Sequence, residues 1–164
     1  MPASSSKDLW GEWALLPLRL IIGFGFTAHG YAKLSAGPHK FAEILSTIGV
    51  PAPDLAAWTT ALIEFFGGLA VIAGAFLPLV SIPLAVIMLT AMFTVHLPFG
   101  FSSIKLKAIT SSGPVFGTPG YEANLLCLAA LLTLVLGGAS PFSVDRVLAR
   151  RKGRDKAEYV ESSP

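Results

Sequence analysis

Four long apolar runs, separated by polar, glycine-bearing or proline-bearing stretches, set the rhythm of the chain. They cover about Trp13 to Leu34, Ala56 to Leu77, Leu79 to Pro98 and Tyr121 to Ala139. Each approaches the roughly 20 residues that a helix needs to cross a hydrocarbon core. None alternates apolar and polar residues with a period of two, so helices rather than barrel strands are predicted. The expected fold is all-α: a polytopic membrane four-helix bundle. The first run is long, contains Arg19 and lacks a clear small-residue cleavage site. It reads as a retained first helix rather than a signal peptide.

The connections carry their own patterns. In "PHKFAEILSTIGVPAPD", Phe41, Ile44, Leu45 and Ile48 recur at helical spacing, which predicts a short amphipathic helix in the first long loop. The "GVPAPD" segment ends it and sets the start of the second span. The other connection, "FGFSSIKLKAITSSGPVFGTPG", is long and glycine-rich. Loops of that length are often lids or binding loops. No internal repeat or low-complexity tract is present.

Composition agrees with the pattern. The chain is 53% hydrophobic and 13% charged, with a mean hydropathy of +0.67, whereas an ordinary soluble domain is about 25% charged. A soluble fold of 164 residues could not hide so much apolar surface, so the bilayer is the expected solvent. The single cysteine, Cys127, lies in an apolar run and can form neither an intrachain disulfide nor a CxxC motif. Packing is its favoured reading over a reactive thiol.

The net charge of +2 matters through its distribution. The tail "DRVLARRKGRDK" concentrates arginine and lysine, whereas the long loops hold only Lys40, Lys105 and Lys107. The positive-inside rule then makes the tail cytoplasmic. With four spans the N-terminus is cytoplasmic too, and both long loops face outward. The expected organisation is a cytoplasmic segment over residues 1–12, a four-helix membrane domain over 13–142 and a basic cytoplasmic tail over 143–164. The expected location is the cell inner membrane. The lipid bilayer is the first partner, which the tail can touch through anionic headgroups; no nucleic-acid partner is expected, and an oligomer is left open.

Ionisable groups inside membrane spans are costly and tend to face a protein interior or a wet cavity. Here they are Arg19, His29, Lys33, Glu64, His96 and Glu122, joined by the amide of Asn124. At about 100° per residue, Arg19, His29 and Lys33 fall within an arc of about 80° on the first helix. Counting depth from the outer end, His29, Lys33, His96, Glu122 and Asn124 lie near that end and Glu64 lies roughly 12 Å inside. Arg19 is deeper, with a side chain long enough to reach toward Glu64. The seven residues are therefore expected to form one polar cluster. Each also has a plain reading: an interfacial histidine, a lysine that snorkels, a Glu122 that caps the fourth helix, or a purely structural ion-pair network.

The stretches "RLIIGFGFTAHGYAKL", "IEFFGGLAVIAG", the histidine of the third span and "GYEANLLCLAALLTLVLGGASPFSVD" together resemble the DoxX family of small four-helix membrane proteins. The resemblance covers roughly residues 14 to 146. The matching positions are Arg19, His29, Gly30, Lys33, Glu64, Gly67, His96 and Glu122. The resemblance implies a link to quinone oxidoreductases, since the family includes proteins associated with a thiosulfate–quinone oxidoreductase.

Two classes of function follow. The first is a redox subunit that binds a quinone in an apolar slot. His29, Glu64 and His96 would serve as catalytic groups that donate hydrogen bonds or relay protons, and Arg19, Lys33, Glu122 and Asn124 would bind the ligand. No glycine motif for flavin or nicotinamide occurs in the chain, so an electron donor would be a soluble or membrane redox partner. The second class is non-enzymatic: an accessory, assembly or small-molecule transport protein. Whether the chain is an enzyme is left open. Haem held by two histidines is a weaker reading. Copper on Met88, Met92 and His96 is weaker again, since methionines at that spacing are usually core; no metal site is assigned.

Overall fold

The computed structural model describes residues 6–138, 142–149 and 151. The chain is mostly helical. Helix α1 covers Ser6–Ala36, α2 Pro38–Thr47, α3 Pro53–Ala73 and α4 Leu77–Ala91. A π-helical turn, Met92–His96, and a 3-10 turn, Leu97–Phe99, prolong α4. Strands β1 (Leu106–Thr110) and β2 (Gly113–Phe116) precede α5 (Glu122–Gly137). Two helical stretches, Pro53–Ala73 and Leu77–Phe99, are long and apolar enough to cross a membrane.

Local chemistry explains the boundaries. Proline stands in the first turn of α2, α3 and α4, where its missing N–H costs nothing. Gly49 and Gly74 adopt the left-handed conformation after α2 and α3. Behind each, an N–H reaches back five residues, Val50 to Leu45 O and Ala75 to Ala70 O, which completes a Schellman closure.

The long helices pack in a cycle: α1 on α3, α3 on α4, α4 on α5 and α5 on α1. Helices α1 and α4 therefore stand diagonally. Contact is densest between α1 and α3, because this seam lacks side chains. A Cβ at Gly30 would fall on the backbone of Phe65, and one at Gly68 on the backbone of Thr27. Small residues of this kind let helix backbones approach closely. The main core, Phe26, Val71, Leu77, Leu84, Leu131 and Leu134, fills the end of the cycle away from α2. A second small core, Ala42, Leu45 and Ala57, lies beneath α2.

The structure corrects the sequence reading in three places. The glycine-rich connection contains an antiparallel hairpin, which the all-α expectation did not include. The third run does not continue as an α-helix to Pro98; it widens into the π-turn at Met92. Helix α1 is longer than the predicted first run, with 31 residues. The predicted amphipathic helix is present as α2, with Leu45 buried and Ile44 exposed. Most of the basic tail, like residues 1–5, lies outside the described residues.

Candidate functional site: an apolar cleft with a buried ion pair

Toward the α2 end, the four long helices enclose an open cleft of about 1270 Å³. Its lining is dominated by apolar side chains, among them Ile22, Phe41, Ile63, Ile87, Met88 and Val95. The polar exceptions are few. His29, Lys33, Glu64, His96 and Asn124 all line it.

Lys33 and Glu64 are joined directly, ammonium to carboxylate. Lys33 stands in the last turn of α1, where the helix dipole favours a cation. Its Nζ also lies 5.0 Å from the centre of the Phe41 ring, which α2 lays over it. Glu64 stands mid-way along α3 and is only 2% exposed. A carboxylate at this depth requires a partner, because an isolated buried charge is heavily penalised. The Lys33 ammonium supplies it.

His29 precedes Lys33 by one turn and so shares its side of α1; it is exposed. His96 belongs to the π-turn, and its Nδ1 lies 3.1 Å from Pro119 O. A carbonyl oxygen only accepts, so Nδ1 is the donor in this contact. The buried Asn124 amide donates to Met88 O at 3.2 Å, which ties α5 to α4 across the cleft.

Two of the seven predicted residues lie elsewhere. Glu122 is not part of the cleft wall. Its Oε2 accepts the Ser103 N–H at 2.9 Å, and Ser103 Oγ in turn accepts the Ala123 N–H. This reciprocal pair caps α5 and fastens the base of the hairpin. Arg19 does not reach Glu64; that expectation is corrected. It lies fourteen residues before Lys33, about 21 Å along α1, and is 2% exposed at the opposite end. There Nη2 donates to Phe142 O at 3.4 Å. One helical face can hold both cations, but depth separates them.

That opposite end contains a clasp the sequence reading missed. The Asp145 carboxylate accepts the N–H groups of Phe76 and Leu77, at 2.8 and 3.2 Å, and so caps α4. Its own N–H donates to Gly74 O. Ser143 is buried beside Gly74, where even a methyl group would collide with it and with Arg19. An acid after the last apolar run is the only trace of this in the sequence, and nothing local says which helix it caps.

Among the described residues, no group of three or more histidines, cysteines or acids is placed to hold a metal ion. What remains is a greasy chamber with one ion pair in its wall and two imidazoles at its polar end. It can accommodate a flat apolar molecule and offer its polar edge an ammonium donor, a carboxylate and two titratable rings. No match was found among curated proteins or among solved structures. The DoxX family profile matches residues 14–97, a span that holds Arg19, His29, Lys33, Glu64 and His96 and makes up just over half of the chain, and the chain belongs to the DoxX family.

Proposed function

We propose that this is a multi-pass membrane protein whose cleft binds a quinone or a similar flat, carbonyl-bearing molecule, as part of an oxidoreductase complex. The Lys33–Glu64 pair, buried in the wall of an otherwise apolar cleft, carries this reading. All four long helices cross the bilayer. Leu20 on α1, Phe66 on α3, Leu89 on α4 and Leu126 on α5 are exposed outside the cleft, an apolar belt that water would not tolerate. The 16 residues of α5 reach only about 24 Å, a mismatch that local thinning or polar ends absorb. Both termini face the cytoplasm of a cell inner membrane, with the α2 end outside.

A bound quinone supplies electron and proton acceptance; the chain supplies position and protons. Lys33 donates a hydrogen bond to a ligand oxygen and opposes negative charge there. Glu64 relays protons to that oxygen as its bond to Lys33 is exchanged for one to the ligand, and His29 and His96 exchange protons with the outer aqueous phase. An electron donor belongs to a partner protein.

The non-enzymatic alternative, a small-molecule carrier or assembly subunit, has one observation in its favour: Lys33 and Glu64 already satisfy one another. One experiment addresses both readings. Protein purified in mild detergent is extracted for mass spectrometry of bound quinones and partner proteins, then titrated with a short-chain quinone. Stoichiometric quinone in the native protein, lost in Glu64→Gln at unchanged abundance, is expected. A stable protein partner with no quinone, and no binding on titration, would overturn the quinone reading in favour of the accessory one.

A further inference from the structure

The β1–β2 hairpin is unlike the rest of the molecule. A two-stranded hairpin is marginal in water by itself, and this one packs against little: all five β1 residues and three of the four in β2 are exposed. Yet it is apolar. Ile104 is 78% and Ile109 80% exposed, and Leu106, Val115 and Phe116 lie open beside them.

The register sorts these side chains. Ile109 pairs with Pro114 and Ala108 with Val115, and then a bulge at Lys107 sets Leu106 opposite Phe116. Paired residues alternate between faces, and a bulge shifts that alternation by one. Leu106, Ile109, Pro114 and Phe116 therefore share one face. Without the bulge, Lys107 would occupy the place of Leu106 and put a charge in the middle of it.

Two further observations say what covers this face. From Leu97 to Tyr121 the only charged residues are Lys105 and Lys107, so the element is purely cationic. Its base is held at the helix ends: Gly120 N–H donates to Ser102 O, Tyr121 N–H donates to Gly100 O, and the Glu122 carboxylate accepts the Ser103 N–H. The tethers are short, six residues before β1 and five after β2. The hairpin cannot travel far from the level at which α4 and α5 leave the apolar layer.

We propose that the hairpin docks on the membrane surface, with Leu106, Ile109, Pro114 and Phe116 in the headgroup region and Lys105 and Lys107 on anionic phospholipid headgroups. The inference rests on the four-span reading above. Apolar area plus lysine is the combination that binds an anionic interface. The exposed Ile44 and Lys40 of α2, at the same end, give it a companion in that plane.

The test places an environment-sensitive fluorophore at Ile109→Cys in a Cys127→Ser background. The full chain is then reconstituted in nanodiscs of phosphatidylcholine with or without phosphatidylglycerol. Quenching by lipids brominated near the headgroup is expected, stronger with phosphatidylglycerol. Changing Lys105 and Lys107 to Gln should lower the docked-to-undocked ratio by about fivefold per lysine in the anionic discs. A water-exposed probe in every disc would overturn the proposal, as would shielding that appears only when two copies share a disc. A second probe at Leu89→Cys, on the exposed belt of α4 outside the cleft, reports the spans themselves. If it is quenched from the bilayer centre while the hairpin probe stays wet, docking fails alone; if neither is quenched, the four-span reading fails with it.

Discussion

The two ends of the molecule bury similar polar groups and use them differently. Away from α2, Asp145 answers the N–H groups of Phe76 and Leu77, Ser143 Oγ accepts the Arg146 N–H, and Arg19 donates to Phe142 O. Every one of these bonds ends on the main chain. Toward α2, Asn124 also bonds the main chain, but Lys33 and Glu64 are joined side chain to side chain, with the Phe41 ring over the ammonium, beside a large open volume. Polarity that satisfies backbone groups is architecture, because the backbone would be orphaned without it. Polarity that satisfies only another side chain can be exchanged for a ligand at modest backbone cost. Burial alone would rank Ser143 and Glu64 equally; the identity of the partner separates them.

The largest expected effect breaks the ion pair. Glu64→Leu strands the Lys33 ammonium and should cost about 3–5 kcal/mol in a detergent melt, with loss of ligand binding. The double variant Lys33→Met, Glu64→Leu removes both charges and should recover most of that stability, yet bind no better. If the single variant melted like the parent, the pair would not be a buried one, and the contrast between the ends would collapse.

Asp145→Ala probes the clasp. Loss of the carboxylate that caps α4 should lower stability by about 1 kcal/mol. Ligand titration of the same sample should match the parent, since the cleft is untouched. A weakened affinity here would show that the two ends are coupled.

His29→Gln has the smallest structural effect. The imidazole is exposed and accepts or donates no hydrogen bond within the described residues, so the melt should shift by less than about 0.5 kcal/mol. Its value lies in function: a changed affinity or proton uptake at unchanged stability sharpens the assignment of the α2 end as the working one.

Much of the helical layout was legible because it is local. Prolines and glycines mark the helix starts and stops, and the 3.6-residue period of Phe41, Ile44, Leu45 and Ile48 marks α2. Depth counting also brought Lys33, Glu64 and His96 to one end. What it could not resolve was pairing. Arg19 and Phe142 lie 123 residues apart, and no periodicity reports such a contact. The hairpin escaped notice for a different reason: its bulge breaks the two-residue alternation at Lys107, and Pro114 stands where a strand residue with an N–H is expected. The π-turn has no sequence mark at all, since it differs from α-helix only in which carbonyl each N–H selects.

The glycine seam between α1 and α3 also has a mechanical consequence. Two rods that touch backbone to backbone have no compliant layer between them, and sliding either one would drive Gly30 into Phe65 or Gly68 into Thr27. Helices α4 and α5 meet the others through leucines, which can change rotamer and act as a soft gasket. Stiffness is thus unevenly distributed. The wall that bears Lys33 and Glu64 behaves as a fixed plate, and any widening of the chamber falls to the α4–α5 side. Asn124, whose amide donates to Met88 O, keeps those two helices moving as one panel.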